Sequence, residues 1–538
     1  MKLPEFKLSP NMLALLLALH FTVFLNISMI RELYDIFLNL DGASIPFIVS
    51  VFFFFVACFN IIFVPFTIKY FEKPFFIILV LASSLVSFAM YHYRIIFNTD
   101  MMTNIFETSP EEAGSYINWS LFAWIGITGI LPCLLLLRTK IQHRKIHIDV
   151  AFKIISIVVS IAVIGLIATF YYKDYASVIR NNSSLRKDIV PTYFIRSTQQ
   201  YIGDRYFNAP RVYTKLGVDA ARNLPEKPEL MVFIVGETAR AQNYELNGYN
   251  RPTNAYSKNI PNLISFQNAT SCGTATAVSL PCMFSMMDRT DYSRSDFDSQ
   301  DNVIDIMNRA DVNMVWEENN TGCKDTCRNI SEISIPREKS QYCDGSVCTD
   351  DVLLSDLQNK IDEMKNTGGI IFFHIMGSHG PTYYKRTPDK FKKFKPECDK
   401  SDIQNCTDEE IINTYDDTIL FTDYVMAETI KILQSNDADL NTSMMYMSDH
   451  GESLGENGLY LHGMPYSISP STQTSVPFIT WMSDNTIADK NIDMDCLKDK
   501  ATNDNISHDN LAHILLGYMD INTSALNKDM DIIGQCRQ

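Results

Sequence analysis

Five long apolar runs crowd the first third of this chain, near residues 11–30, 46–68, 75–93, 118–137 and 150–171. An α-helix needs about 20 apolar residues to cross the hydrocarbon core of a bilayer. In lipid, only helices and closed barrels satisfy every backbone N–H and C=O. The runs therefore predict a membrane domain of five helical spans. The first could be taken for a signal peptide. Its apolar region is long, however, and no small-residue cleavage pattern follows, so an uncleaved anchor is expected. Lys2 and Lys7 precede the first run, Lys69 and Lys73 separate the second and third, and Arg138, Lys140, Arg144 and Lys145 separate the fourth and fifth. The loop before the second run holds only Asp41, and the loop at 98–117 carries Asp100, Glu107, Glu111 and Glu112. Basic loops stay in the cytoplasm. The N-terminus is then inside, and everything after Tyr172 is outside.

The rest of the chain has a different character. At 538 residues it is too long for one ordinary domain. Three parts are expected: a transmembrane domain at 1–172, interfacial linker helices at 173–220, and an exported domain at 221–538. The linker mixes Arg180, Arg186, Lys187, Arg196, Arg205 and Arg211 with Tyr193, Phe194, Tyr201, Tyr206 and Phe207, a composition suited to a membrane surface. The net charge of −16 argues against nucleic acid as a partner. Of the 12 cysteines, Cys58 and Cys133 fall in spans and ten lie in the outer domain. Eight form close pairs: Cys272/Cys282, Cys323/Cys327, Cys343/Cys348 and Cys398/Cys406. Cys496 and Cys536 remain as a fifth. An even number in an exported domain reads as a disulfide framework. Cys323-Lys-Asp-Thr-Cys327 looks like half a zinc finger, but no matching half stands at finger spacing.

Strand candidates at 230–235, 313–316, 370–375, 443–447 and 477–481 alternate with helix candidates at 302–309, 351–365, 411–434 and 508–518. Such alternation predicts a mainly parallel sheet covered by helices. Two strands end in metal-ligating groups. Met444–Ser448 runs into Asp449-His450-Gly451-Glu452, and Leu230–Val235 runs into Gly236-Glu237. Open α/β sheets bind ligands outside the carboxyl ends of their strands, and zinc takes O and N donors of this kind. A third element is Ser271-Cys272-Gly273-Thr274-Ala275-Thr276-Ala277-Val278-Ser279-Leu280-Pro281-Cys282, small residues opening into a helix. A threonine at a helix N-terminus meets N–H groups that favour anions, and a neighbouring zinc would make it a nucleophile. Local chemistry does not separate Thr274 from Thr276. His379 follows a strand in a glycine-rich turn. His462 stands twelve residues after His450, far enough for the loop to fold back. His374 lies within a strand and reads as a core or supporting histidine, and His508 starts a helix with no catalytic role.

Together GETAR (236–240), N-G-Y-x-R (247–251), SCGTATAVSLPC (271–282), GSHGP (377–381), SDHGESLGE (448–456) and LHGMP (461–465) resemble the lipid A phosphoethanolamine transferases. That family includes the mobile colistin-resistance enzymes. The resemblance spans the whole chain and implies five spans followed by an α/β alkaline-phosphatase-like domain with a mainly parallel central sheet. It implies that Glu237, Asp449, His450 and Thr276 bind the catalytic Zn2+. Thr276 would be the nucleophile that carries phosphoethanolamine. His379 and His462 would act on the leaving or attacking oxygen, or hold a second zinc. Lys324 would neutralise phosphate charge, and Asn104, Thr108 and Glu112 would meet the ethanolamine head group. Thr321 stands where the family often has serine and keeps the hydroxyl. The implied donor is phosphatidylethanolamine and the acceptor lipid A, handled by a monomer in the Gram-negative inner membrane with its catalytic domain in the periplasm. The product would carry less negative charge and bind polymyxins less well. The rival acceptors are core heptose and periplasmic glucan, and phosphoglycerol is the rival group. A sulfatase is not expected, because Cys282 is followed by Met-Phe-Ser rather than that family's x-Pro-x-Arg.

Overall fold

The computed structural model describes residues 6–38, 44–207, 211–336, 341–344 and 348–538. Lys2, Asp41 and the Glu111 and Arg180 side chains lie outside the described residues. The chain divides into two compact units, one of residues 1–99 and 117–200, the other of residues 100–116 and 201–538.

The first unit is helical. Among the described residues, four helices are individually long and apolar enough to cross a membrane: Ile45–Phe66, Glu72–Tyr93, Trp119–Arg138 and Ile146–Ala176. The first apolar run differs from a straight span. It forms Pro10–Leu25 and Ile27–Leu38, bent against each other by 63°. The physical reason lies at the joint: Phe21–Leu25 is a π turn, and Asn26 caps it with a bond to the Phe21 carbonyl. Interruptions of this sort are where helices kink. Counting the bent pair as one gives up to five spans. Some polar side chains inside the bundle pair across helices. Asn60 donates to Ser156 and Ser160 at 3.0 and 2.9 Å, and Ser84 bonds Thr128 at 2.7 Å. The last helix runs on to Asn181 and is followed by a helix at Thr192–Ile202.

The second unit is built on a seven-stranded sheet. In chain order the strands are β1 (Glu229–Gly236), β2 (Leu263–Phe266), β3 (Met314–Glu318), β4 (Ser331–Ser334), β5 (Gly369–His374), β6 (Asn441–Ser448) and β7 (Phe478–Met482). Their order across the sheet is β2-β7-β6-β1-β5-β3-β4. The β6-β1-β5-β3-β4 portion is parallel, while β7 pairs antiparallel with both β6 and β2. β1, β5 and β6 are buried along their whole length, which explains why they read as unbroken apolar runs rather than alternating ones. On one face Met231, Phe233, Val235, Phe372, Met445 and Met447 join the helices Val303–Arg309 and His508–Tyr518 in the main core. The 28-residue helix Asp408–Ser435 also packs on β6 and starts with a capping box between Thr407 and Glu410. Five disulfides tie the unit: Cys272–Cys282, Cys323–Cys327, Cys343–Cys348, Cys398–Cys406 and Cys496–Cys536. Cys58 and Cys133 are free.

Candidate active site

Register builds the site. β1 and β6 run parallel with Gly236 opposite Ser448, so the next residues, Glu237 and Asp449, leave the sheet side by side. The Asp449 N–H bonds the Gly236 carbonyl at 3.0 Å and the Ser378 N–H bonds the Glu237 carbonyl at 3.0 Å. The ends of β1, β5 and β6 are thereby stitched together. Gly236 is required here: a Cβ would stand 2.6 Å from the Tyr446 hydroxyl.

Thr276 is the first residue of the helix Thr276–Met283. Its Oγ1 lies 3.1 and 3.2 Å from the two Glu237 carboxylate oxygens and 3.3 Å from His450 Nε2. The structure thus separates the two threonines, because Thr274 instead donates its hydroxyl to the Met464 carbonyl at 2.6 Å. His508 links the Thr276 segment to β6: its Nδ1 accepts from the Cys272 N–H at 3.1 Å and its Nε2 donates to the Ser448 carbonyl at 2.9 Å. Burial lowers its pKa to about 4, which keeps the imidazole neutral and able to do both.

Glu237, Asp449 and His450 are fully buried, and one donor atom from each lies within 4.8 Å of the others. His450 Nδ1 donates to the Gly451 carbonyl at 2.9 Å, which turns Nε2 toward the other donors. Asp449 Oδ1 accepts from the Thr238 and His450 N–H groups at 3.1 and 2.7 Å, while its Oδ2, 3.4 Å from His450 Nε2, has no hydrogen-bond partner among the described residues. Burial and the adjacent Glu237 charge push Asp449 well above the carboxylate range; Glu237, despite its own burial, is held down to about 2 by His450 and His379. Two hard oxygens, one imidazole nitrogen and one hydroxyl around an unpartnered buried carboxylate oxygen form a donor set that suits zinc.

Around this centre stand the outer residues. The His450 and His462 ring centroids are 4.5 Å apart and those of His379 and His462 are 5.6 Å apart. His379 Nε2 faces Glu112 Oε1 at 3.3 Å. Glu112 lies on the short helix Pro110–Ser115, within the part of the chain that belongs to the second unit. Burial opposes a charged His379, but the Glu112 contact outweighs it and raises the pKa. Burial likewise opposes a charged Glu112, yet His379 brings its pKa below the usual value. His462 is driven well below the ordinary range by burial, then by His450 and His379. Lys324 sits in the loop closed by Cys323–Cys327 at φ +50° and donates to the Thr321 and Glu107 carbonyls at 3.1 and 3.2 Å. Thr108 donates to the Asn104 carbonyl at 2.6 Å.

Sequence reasoning missed several neighbours. Asn320 donates to Glu237 Oε2 at 2.7 Å. Glu452 is buried with Oε1 3.4 Å from His462 Nδ1, and its pKa is raised to about 8 by burial, against the opposing charges of His450 and His379. Glu-Glu-Asn-Asn directly after a strand candidate, and a second acid two residues past the Asp-His pair, were the available signals.

Comparison with known proteins places these features. A family model described as Sulfatase matches residues 229–521, and one described as Phosphoethanolamine transferase EptA/EptB matches residues 55–206. The first defines the class, an alkaline-phosphatase-type domain; Cys272 and Cys282 are bonded to each other, so neither is a free sulfatase-type nucleophile. The phosphoethanolamine transferase EptA of Escherichia coli K12 is 37% identical, with 98% of each chain covered. The phosphatidylethanolamine transferase Mcr-1 of Escherichia coli is 34% identical over 77% of this chain and 79% of its own. The solved lipooligosaccharide phosphoethanolamine transferase A of Neisseria meningitidis, an integral membrane protein, superposes with a TM-score of 0.93 at 34% identity, covering 99% of this chain and 100% of that one. The chain belongs to the lipid A phosphoethanolamine transferase family of the alkaline phosphatase superfamily.

Proposed function

We propose that this protein moves phosphoethanolamine from phosphatidylethanolamine to a lipid A phosphate through a covalent phospho-Thr276. The observation that carries the mechanism is the convergence of the Thr276 hydroxyl with Glu237 and His450 at 3.1–3.3 Å, on a segment stapled by Cys272–Cys282. Family membership and the apolar helices support the donor and the setting: the inner membrane, with the N-terminus in the cytoplasm and the catalytic unit in the periplasm. Glu237, Asp449, His450 and Thr276 would hold zinc. Bound there, it would act as a Lewis acid on the phosphoryl oxygens and lower the pKa of the Thr276 hydroxyl.

In the first step Thr276 Oγ1 gives its proton to His462, neutral by burial, and attacks the phosphorus. The bond to the diacylglycerol oxygen breaks, and that oxygen takes a proton. His379, charged through Glu112, is the group able to give it. In the second step a lipid A phosphate oxygen attacks the same phosphorus, and His462 returns the proton to Thr276 Oγ1 as it leaves. Lys324 offers an ammonium to phosphate oxygens. Asn104, Thr108 and Glu112 would meet the ethanolamine, with Glu112 serving His379 as well. The added ammonium reduces the negative charge of lipid A, so polymyxins bind it less tightly. Incubating the protein with phosphatidylethanolamine alone and mapping modified peptides tests the reading. The mass of one phosphoethanolamine should appear on the Thr276 peptide; its appearance elsewhere, or nowhere, overturns the covalent route.

A further inference from the structure

Beneath Glu237 lies a chain of buried polar groups that the mechanism above does not use. Glu318, the last residue of β3, and His374, the last of β5, sit on neighbouring parallel strands in direct register. Glu318 Oε2 accepts from Trp316 Nε1 at 2.9 Å and from His374 Nδ1 at 2.8 Å, and its Oε1 accepts from the Asn320 backbone N–H at 2.6 Å. His374 has no exposed surface and Glu318 is 5% exposed. With Nδ1 donating to Glu318, the neutral imidazole of His374 offers Nε2 as an acceptor. It faces the Asn320 side-chain nitrogen at 3.2 Å. That same nitrogen lies 2.7 Å from Glu237 Oε2 and 3.0 Å from the Ile375 carbonyl. Three acceptors around one nitrogen decide which end of the amide faces Glu237, an orientation that amide shape alone leaves open.

We propose that Glu318 and His374 are positioning residues that lock the Asn320 amide so that Glu237 is held for its metal. The sequence of contacts is Trp316 to Glu318 to His374 to Asn320 to Glu237, each member buried. Partners that orient ligands in this way set metal affinity, and their removal typically weakens it about 10–100-fold. Glu318 and Asn320 come from the strand end that leads into the Cys323–Cys327 loop, so one short segment supports both Glu237 and Lys324.

The inference rests on the zinc reading of the site, and the test separates the two. Full-length protein in detergent is stripped with a chelator, and its zinc affinity is read by competition with a chromogenic chelator; unfolding temperature is followed in parallel. The panel is wild type, Asp449→Asn, His374→Phe, Asn320→Leu, the His374→Phe/Asn320→Leu double variant, and His374→Gln. Wild type should bind zinc and Asp449→Asn should lose it. His374→Phe and Asn320→Leu should each weaken zinc by about 10-fold or more. The double variant should be no weaker than the worse single one, because His374 acts through Asn320. His374→Gln, which keeps an acceptor, should recover part of the loss. Additive losses overturn the proposal, as does a lowered unfolding temperature with unchanged zinc affinity. A wild type that binds no zinc overturns the metal reading and this inference with it. Should His374→Phe not fold, His374→Gln, Asn320→Leu and their combination carry the same cycle.

Discussion

Gly377 offers a quantitative check on how the strand ends are fitted together. It lies between β5 and His379 at φ +49°, and a Cβ there would stand 2.7 Å from the Glu237 carbonyl oxygen and 3.2 Å from Glu237 N and Cβ. The left-handed conformation costs an L-residue roughly 1–2 kcal/mol. The overlap falls on backbone that the Ser378 N–H already bonds, and overpacking of that sort adds roughly 1–3 kcal/mol. Gly377→Ala should therefore destabilise by about 2–5 kcal/mol. Gly248 supplies the control: its φ is +91° but nothing lies within 4 Å of the added Cβ, so Gly248→Ala should cost only the conformational part, about 1–2 kcal/mol. Thermal unfolding of both variants, with transfer assayed on a fluorescent phosphatidylethanolamine, reads the difference. Displacing Glu237 even slightly should also slow catalysis by about 10-fold or more, since misplacement near the reacting groups is costly. Gly248→Ala should keep activity near wild type. Equal unfolding temperatures and equal activities for the two variants would refute the claim that Gly377 is required by contact with Glu237.

Two further outcomes follow from the same structure. Glu112→Gln removes the carboxylate that raises the His379 pKa and leaves the burial that lowers it; since the protonated form is the acid, the basic limb of the kcat/KM profile should move to lower pH, and an unmoved limb would exclude His379 as that acid. Among the disulfides, loss of Cys496–Cys536, which spans 40 residues, should cost about 4 kcal/mol, whereas loss of Cys323–Cys327, which spans 4, should cost about 2 kcal/mol on loop-entropy grounds; denaturant unfolding of the paired Cys→Ser variants would show the reverse order if the account is wrong.

What could be read from the chain beforehand follows a physical divide. β1, β5 and β6 are buried on both faces, so continuous apolar runs announced them, and Glu237, Asp449 and His450 follow directly at their ends. β2 and β4 were not legible. β2 has four residues, and β4, Ser-Glu-Ile-Ser, is largely exposed at the sheet edge with Ile333 as its one large apolar residue. The antiparallel direction of β7 depends on the chain path between β6 and β7, not on its own composition. The first span reads as an ordinary apolar helix, yet the π turn at Phe21–Leu25 bends it. In the site, Glu318, Asn320 and Glu452 leave only the weak local marks of polar residues following a strand candidate or the Asp-His pair, because their meaning comes from partners 56 to 83 residues away, or from a returning loop. The resemblance implies an ethanolamine role for Glu112; its contact with His379 depends on how residues 100–116 pack within the second unit and has no trace in the local sequence.

The central claim is that Thr276 transfers phosphoethanolamine to lipid A. Lipid A mass spectra from Gram-negative cells carrying wild type, Thr276→Ala or empty vector test it most directly. The account predicts one added phosphoethanolamine with wild type and none with Thr276→Ala, while both proteins reach the membrane folded and with five disulfides formed. Modification by the Thr276→Ala variant at the wild-type level would contradict the nucleophile. Unmodified lipid A with well-folded wild type would contradict the acceptor.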